Sequence, residues 1–274
     1  MDPLDPDRVR AAAARWVWVP VDATEVESDD YRLTHYTDYT SVQWSRTSRP
    51  LGEVLDEVVD HARAAGRPTL RWWVDERTVP ADTDQQLVGL GLEEVERLVV
   101  LALPLSAELD VPDGVEVVEV TDRAGLELAG RIQAEVFDMS PPTPAQVEDM
   151  LAAVSRPESE RLVRCYVAHV DGVPVASGGS TVDGDALRFW DGSCLPAYRG
   201  RGAYRALVAR RIADARPTTA DFALVKAVDD TSAPILTRLG FTPYGLQRCF
   251  SLSLRRAAGE RSPGEGPTPR ITAS

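Results

Sequence analysis

Apolar positions along the first 105 residues change period more than once. Val54, Leu55, Val58, Val59 and Ala62 recur at helical spacing and predict a helix over Leu51–Ala65, with Gly66 and then Pro68 as its stop. Thr69–Val74 predicts a strand, Asp84–Leu90 a short helix closed by Gly91, and Leu98–Leu105 a strand of almost unbroken apolar residues. The stretch before this helix, from Trp16, reads as strand-rich. Ser106–Gly114, with Pro112 and the Asp113-Gly114 turn signal, reads as a linker.

Beyond the linker, Val115–Val120 alternates as a strand does. Arg123–Phe137 places Leu126, Leu128, Ala129, Ile132 and Val136 on one helical face, and Pro144–Val154 suggests a second helix after the loop Asp138–Pro142. Asp171-Gly172 and Asp183-Gly184 separate Leu162–Val170, Val173–Val182 and Ala186–Leu195, which predicts an antiparallel meander joined by tight turns. A helix over Ala203–Ala215, a strand over Phe222–Val228, a helix over Thr231–Leu239 capped by Gly240 and a strand over Leu246–Leu254 complete the pattern.

At 274 residues the chain is long for one compact domain and sufficient for two. The expected division is 1–110 and 111–254, with 255–274, rich in Arg, Gly, Pro and Ser, as a disordered tail. Apolar runs fall well short of the roughly 20 residues of a membrane span. The acidic, proline-containing start MDPLDPDRVR does not read as a secretory signal, so the expected compartment is the cytoplasm. A net charge of −13 repels phosphate backbones and anionic lipid, which argues against nucleic acid and membrane as partners and mildly favours a cationic substrate. Cys165, Cys194 and Cys249 are odd in number and widely separated, so neither a disulfide framework nor a metal cluster is expected.

The segment with chemistry in it is CLPAYRGRGAYRALVARR, Cys194 to Arg211, where a strand runs into a glycine-containing loop that opens a helix. The first turn of a helix presents unpaired N–H groups and a positive dipole end, a ready site for an anion. Gly200 and Gly202 let the backbone approach such an anion closely, while Arg199, Arg201 and Arg205 add guanidinium groups suited to phosphate oxygens. A diphosphate is the simplest ligand of that description.

Arg199-Gly200-Arg201-Gly202-Ala203-Tyr204, after a strand and Pro196, resembles the acetyl-CoA signature of the GNAT superfamily of N-acyltransferases: Gln or Arg, two residues, Gly, one residue, then Gly or Ala. Tyr204 stands where a small residue is usual. The order of elements over Val115–Leu254 is also similar to the family's. The resemblance implies an α/β fold with a mixed, mostly antiparallel central sheet flanked by helices. It implies acetyl-CoA as acyl donor, with Arg199, Gly200, Arg201, Gly202, Ala203 and Tyr204 around its diphosphate. It further implies that the strand before the loop splays from its neighbour, so that backbone near Cys194 and Leu195 meets the pantetheine arm and the thioester carbonyl. DDTSAPILTRLGF, Asp229–Phe241, resembles a second family segment, with Asp229 at an Asn position and Leu236 where the family often has the tyrosine that protonates departing CoA.

An ammonium acceptor must lose a proton before attack. The carboxylates Asp191 and Glu135, then Asp138 and His169, are the candidates for that work, Asp191 first because it stands just before the expected splay. Phe189 and Trp190 face opposite sides of a strand, so one of them is available to an acceptor pocket.

In the N-terminal half, VGLGLEEVERLVVLALPL echoes TRLGFTPYGLQRCFSLSL, which points to two GNAT-like domains in tandem. SRTSRPLGEV lacks the Arg-x-x-Gly spacing, so no cofactor is expected there. The expected activity is direct transfer of an acetyl group to a primary amine of a small molecule or peptide, by a monomer or homodimer. Leu236 leaves a non-catalytic acyl-CoA-binding sensor or scaffold as the other reading.

Overall fold

The computed structural model describes residues 4–17, 19 and 23–254; the segment 255–274, expected to be a tail, lies outside the described residues. The chain divides into two compact units. One holds the described residues up to Val17 together with Arg97–Gln247, and the other those between 18 and 96 together with Arg248 onward. Both are α/β, with mostly antiparallel sheets and flanking helices.

The first unit opens on a helix that the sequence pattern did not announce, α1 (Pro6–Arg15). Asp5 caps it by accepting from the Asp7 N–H at 3.0 Å, and Pro6 occupies the first turn, where its missing N–H costs nothing. Val9, Ala12 and Ala13 are its buried face. The sheet of this unit is built from β5 (Glu93–Pro104), β6 (Val115–Val120), β7 (Val163–Val170), β8 (Val173–Asp183), β9 (Ala186–Cys194) and β10 (Phe222–Val228). Neighbours run in the order β5-β10-β9-β8-β7-β6, all antiparallel except β9 with β10. Asp171 and Gly172 both have positive φ, 53° and 78°, the backbone of the hairpin turn that the Asp-Gly pair predicts.

Helices α4 (Arg123–Phe137) and α5 (Pro144–Val154) cover one face of this sheet, their apolar residues meeting Cys165, Val167, Trp190 and Leu195. Helix α6 (Ala203–Ala215) covers the other, packing with Leu101, Leu187 and Phe189, and Leu236 and Phe241 close that core from α7 (Ser232–Arg238) and the turn after it.

The second unit carries β1 (Thr24–Glu27), β2 (Tyr31–His35), β3 (Thr40–Ser45), helix α2 (Leu51–Ala64), β4 (Thr69–Val74) and the short α3 (Thr83–Gly89). Its core gathers Val54, Leu55, Val58 and Val59 of α2, the residues singled out by their helical spacing, against Leu33, Val42, Leu70 and Trp72. Here β3 and β4 run parallel, joined through α2, as β9 and β10 do through α6.

The last strand, β11 (Thr242–Ser253), contributes Arg248–Ser253 antiparallel to β4, while β5 lies antiparallel to β10. The units therefore do not divide at a single point in the sequence. The linker 106–114 remains a connection, but β5 belongs from Arg97 onward with the C-terminal unit, and the residues from Arg248 belong with the N-terminal one. No helix among the described residues is long and apolar enough to cross a membrane.

Candidate active site

The site is organised by a fault in a strand. Across β8 and β9, Ser177 opposes Ser193 and Gly179 opposes Trp190, so β9 carries one extra residue between those pairs. This bulge is Asp191-Gly192, with Asp191 at φ 49° in the left-handed region. The extra residue flips the face on which side chains land. Trp190 lies with the α4 and α5 side, Gly192 faces Tyr204 of α6, and Ser193 returns to the first side, where its hydroxyl meets that of Ser177 at 3.0 Å. Ser177 in turn donates to the Ala129 carbonyl of α4 at 3.2 Å, which pins the bulge to the helix layer.

Beside the bulge the sheet opens. β9 and β10 pair only over Ala186–Arg188 and Phe222–Leu224, and pairing stops there although both strands continue. The Leu195 N–H donates to the Val175 carbonyl at 2.8 Å. It is thus spent on β8, and strand alternation turns the Cys194 N–H to the opposite edge, which faces the opening. Of the two backbone positions expected to meet a thioester, Cys194 presents its N–H and Leu195 does not.

The strand then leads through a short 3-10 turn, Pro196–Tyr198, into the glycine loop. Gly200 and Gly202 have φ 79° and 86°, a conformation that costs a side-chain-bearing residue about 1–2 kcal/mol. Around Gly200 there is open space, whereas a Cβ on Gly202 would run into the ring of Pro112, from the linker. Gly202 caps α6 with no side-chain hydrogen bond, which leaves the first-turn N–H groups without a capping side chain from that residue. Arg199 is exposed, its Nε donating to the Cys194 carbonyl at 3.4 Å. Arg201 is held by Asp171 of the β7–β8 turn at 2.5 Å, and Arg205 is exposed. These residues suit a diphosphate: uncapped N–H groups, permissive glycines and guanidinium groups at one helix start. Ala203 is buried as the first residue of α6.

Two side chains of the site combine solvent contact with dense surroundings, as the walls of a cleft do. Asp191 has an exposed surface, yet nearby protein desolvates its carboxyl and holds its pKa above the usual carboxylate range. Tyr204 is only partly accessible, and burial raises its phenol pKa against the opposing pull of Arg211.

Arg211 is a residue that sequence reasoning passed over. It is 1% exposed, on α6 beneath the bulge. Its Nη1 donates to the Gly179 carbonyl at 3.1 Å, its Nε to the Leu207 carbonyl at 3.1 Å, and its guanidinium carbon lies 4.0 Å from the Phe189 ring centre. Its Nη2 is buried with no hydrogen-bond partner. Gly178 makes the room, since a Cβ there would stand 3.2 Å from Nη1. By helical pattern alone an arginine in α6 reads as a solvated charge; only the glycines of a distant strand pair give it a buried place.

The other candidates are less engaged. Glu135 is exposed on α4, and Asp138 is the left-handed C-cap of that helix, φ 51°, which explains its presence structurally. His169 sits on β7 opposite Glu116 and Pro174, with Nδ1 buried and unpaired. Asp229 is exposed just after β10, its N–H donating to the Arg97 carbonyl at 3.1 Å. Leu236 is fully buried in the α6-side core. As strand geometry required, Phe189 and Trp190 face opposite layers, and Trp190 lies over Gly179 with its Nε1 donating to Thr181 Oγ1 at 3.0 Å. No group of three or more potential metal ligands occurs among the described residues. A separate open cavity of about 500 Å³ lies against the outer side of α6, lined by Leu109, Val115, Val117, Ala209 and Arg216; it includes none of the residues just described.

A bulged strand, a parallel neighbour that parts from it and a glycine loop opening a helix together make up a GNAT-type fold. Residues 112–223 match the family model described as an acetyltransferase (GNAT) domain. In structure it is similar to a GCN5-related N-acetyltransferase from Kribbella flavida, at 20% identity and a TM-score of 0.66, covering 89% of this chain and 94% of that one. It is also similar to a tandem GNAT protein from the clavulanic acid biosynthesis pathway, at 15% identity and a TM-score of 0.61, over 93% and 89%. A third likeness is to a GCN5-related N-acetyltransferase from Sphaerobacter thermophilus, at 16% identity and a TM-score of 0.62, over 85% and 76%. No curated protein matches in sequence.

Proposed function

We infer that the protein transfers an acetyl group from acetyl-CoA to a primary amine, and that the opening between β9 and β10 is where transfer occurs. The observation that supports this most is the coincidence, on one side of one strand, of the Asp191-Gly192 bulge, the unpaired edge at Cys194 and the uncapped start of α6. Backbone N–H groups from Gly200 to Tyr204, with Arg199 beside them, hold the diphosphate. The Cys194 N–H, aimed into the opening, donates to the thioester oxygen as negative charge gathers on it. Asp191, partly desolvated, is a stronger base than an ordinary carboxylate and takes the proton from the acceptor ammonium. Glu135 is the second carboxylate assigned to the acceptor side, and Asp229 is assigned to the cofactor side. Holding donor and acceptor together supplies much of the acceleration. A cytoplasmic enzyme that acts as monomer or homodimer is the accompanying reading, with 1–110 as a GNAT-like domain lacking the cofactor motif.

Leu236 favours a second reading, a sensor that binds acyl-CoA without turnover. Incubation with labelled acetyl-CoA and a panel of primary amines separates the two. Labelled amide is the expected product, whereas saturable CoA binding with no product from any amine overturns the catalytic reading.

A further inference from the structure

The underside of the bulge holds an arrangement that packing alone does not account for. Tyr204 leaves the first turn of α6 and lies against Gly192, with the ideal Cβ position of that glycine 2.9 Å from its Cε2 and 3.1 Å from its hydroxyl. Any side chain at 192 would displace the phenol. Beside it stands the buried Arg211, with no carboxylate bonded to it among the described residues and one nitrogen unpaired. A buried guanidinium without a counter-ion is costly, and the stacking on Phe189 offsets only part of that. Such a cation favours any anion formed next to it. It has hydrogens to give and no lone pair to accept with, so the neighbouring phenol keeps its own hydrogen for another partner.

Resting on the reading that the opening beside the bulge receives the thioester, we propose that Tyr204 is the catalytic acid of the transfer and Arg211 its positioning residue. The amine nitrogen bonds to the carbonyl carbon, the carbon–sulfur bond breaks, and sulfur leaves with the electron pair. That sulfur takes the Tyr204 hydroxyl proton. The transient phenolate is stabilised by Arg211 and recovers a proton from solvent, while the nitrogen loses two protons through Asp191 in turn, one from the ammonium before attack and one as the amide forms. The position filled by Leu236 on α7 has no proton to give, and Tyr204 supplies one from the preceding helix, α6, packed on the same core.

The test compares wild type, Tyr204→Phe, Tyr204→Ala, Arg211→Met and the double variant Tyr204→Phe with Arg211→Met. Thiol release from acetyl-CoA is followed with water and with primary amines as acceptors, and CoA affinity is measured by calorimetry. Removing the hydroxyl while keeping the ring lowers turnover about 100-fold, leaves CoA affinity within about twofold, and is rescued by thioesters whose thiol is acidic enough to leave unaided. Arg211→Met lowers turnover in the wild type but adds little in the Tyr204→Phe background, since the two act as one unit. Unchanged turnover in Tyr204→Phe, an equal loss for every leaving group, or faster turnover in Tyr204→Ala overturns the proposal while the site reading stands. Absence of CoA binding or of thiol release by the wild type overturns the site reading itself.

Discussion

Gly202→Ala against Gly200→Ala isolates one contact at the proposed diphosphate corner. Both glycines are left-handed, so each alanine incurs backbone strain of about 1–2 kcal/mol. Only at 202 does the added methyl meet another group, the ring of Pro112; at 200 nothing lies within 4 Å. Forcing a methyl into occupied space typically costs about 1–3 kcal/mol. The expected losses are about 1–2 kcal/mol for Gly200→Ala and about 2–5 kcal/mol for Gly202→Ala. For a unit of this size each kcal/mol lowers Tm by roughly 2–4 °C. Differential scanning calorimetry therefore separates the variants by several degrees, and Pro112→Gly placed in the Gly202→Ala background recovers most of the excess. Equal destabilisation by the two alanines, or no recovery on removing the Pro112 ring, refutes the packing of the linker against the helix start.

Other outcomes rest on the same geometry. Asp191 must be ionised to accept a proton, and its pKa is raised by burial. Activity therefore rises with pH through a midpoint above the ordinary carboxylate value, and Asp191→Asn abolishes that limb of the kcat/KM profile. For stability the sign is opposite: a raised carboxyl pKa means stability lost as pH climbs from the unfolded to the folded value, so Asp191→Asn gains stability at neutral pH, read by urea denaturation. Arg199→Glu weakens CoA binding at least tenfold, about 1.4 kcal/mol, in calorimetry at low salt. Burial pushes the Cys165 and Cys249 thiols up to about 12, whereas Cys194 is half-buried. A thiol reagent therefore labels one cysteine in the folded protein and three in denaturant, and acetyl-CoA protects that one.

Most of the secondary structure was legible in the sequence because it rests on local rules. The Asp171-Gly172 turn, the apolar face of α2 and the glycine loop before α6 each arise from residues a few positions apart. The bulge was not legible, since it is a mismatch of register between β8 and β9, visible only once Ser177 is paired with Ser193. Arg211 shows the same limit: its burial depends on Gly178 and Phe189, on strands far from it in sequence, so helical spacing alone gives no hint of it. Pairing of Arg248–Ser253 with β4, near the other end of the chain, likewise depends on long-range closure that hydrophobic pattern does not encode. Helix α1 was hidden differently, because prolines at residues 3 and 6 read as breakers although Pro6 is well placed in a first turn.

The proposed activity depends first on the main-chain N–H groups at the start of α6 holding a CoA diphosphate. A crystal structure grown with acetyl-CoA tests it most directly. Diphosphate oxygens are expected about 3 Å from the N–H groups between Gly200 and Tyr204, with the thioester beside Cys194. A diphosphate bound elsewhere, or no diphosphate at the helix start at saturating ligand, contradicts it.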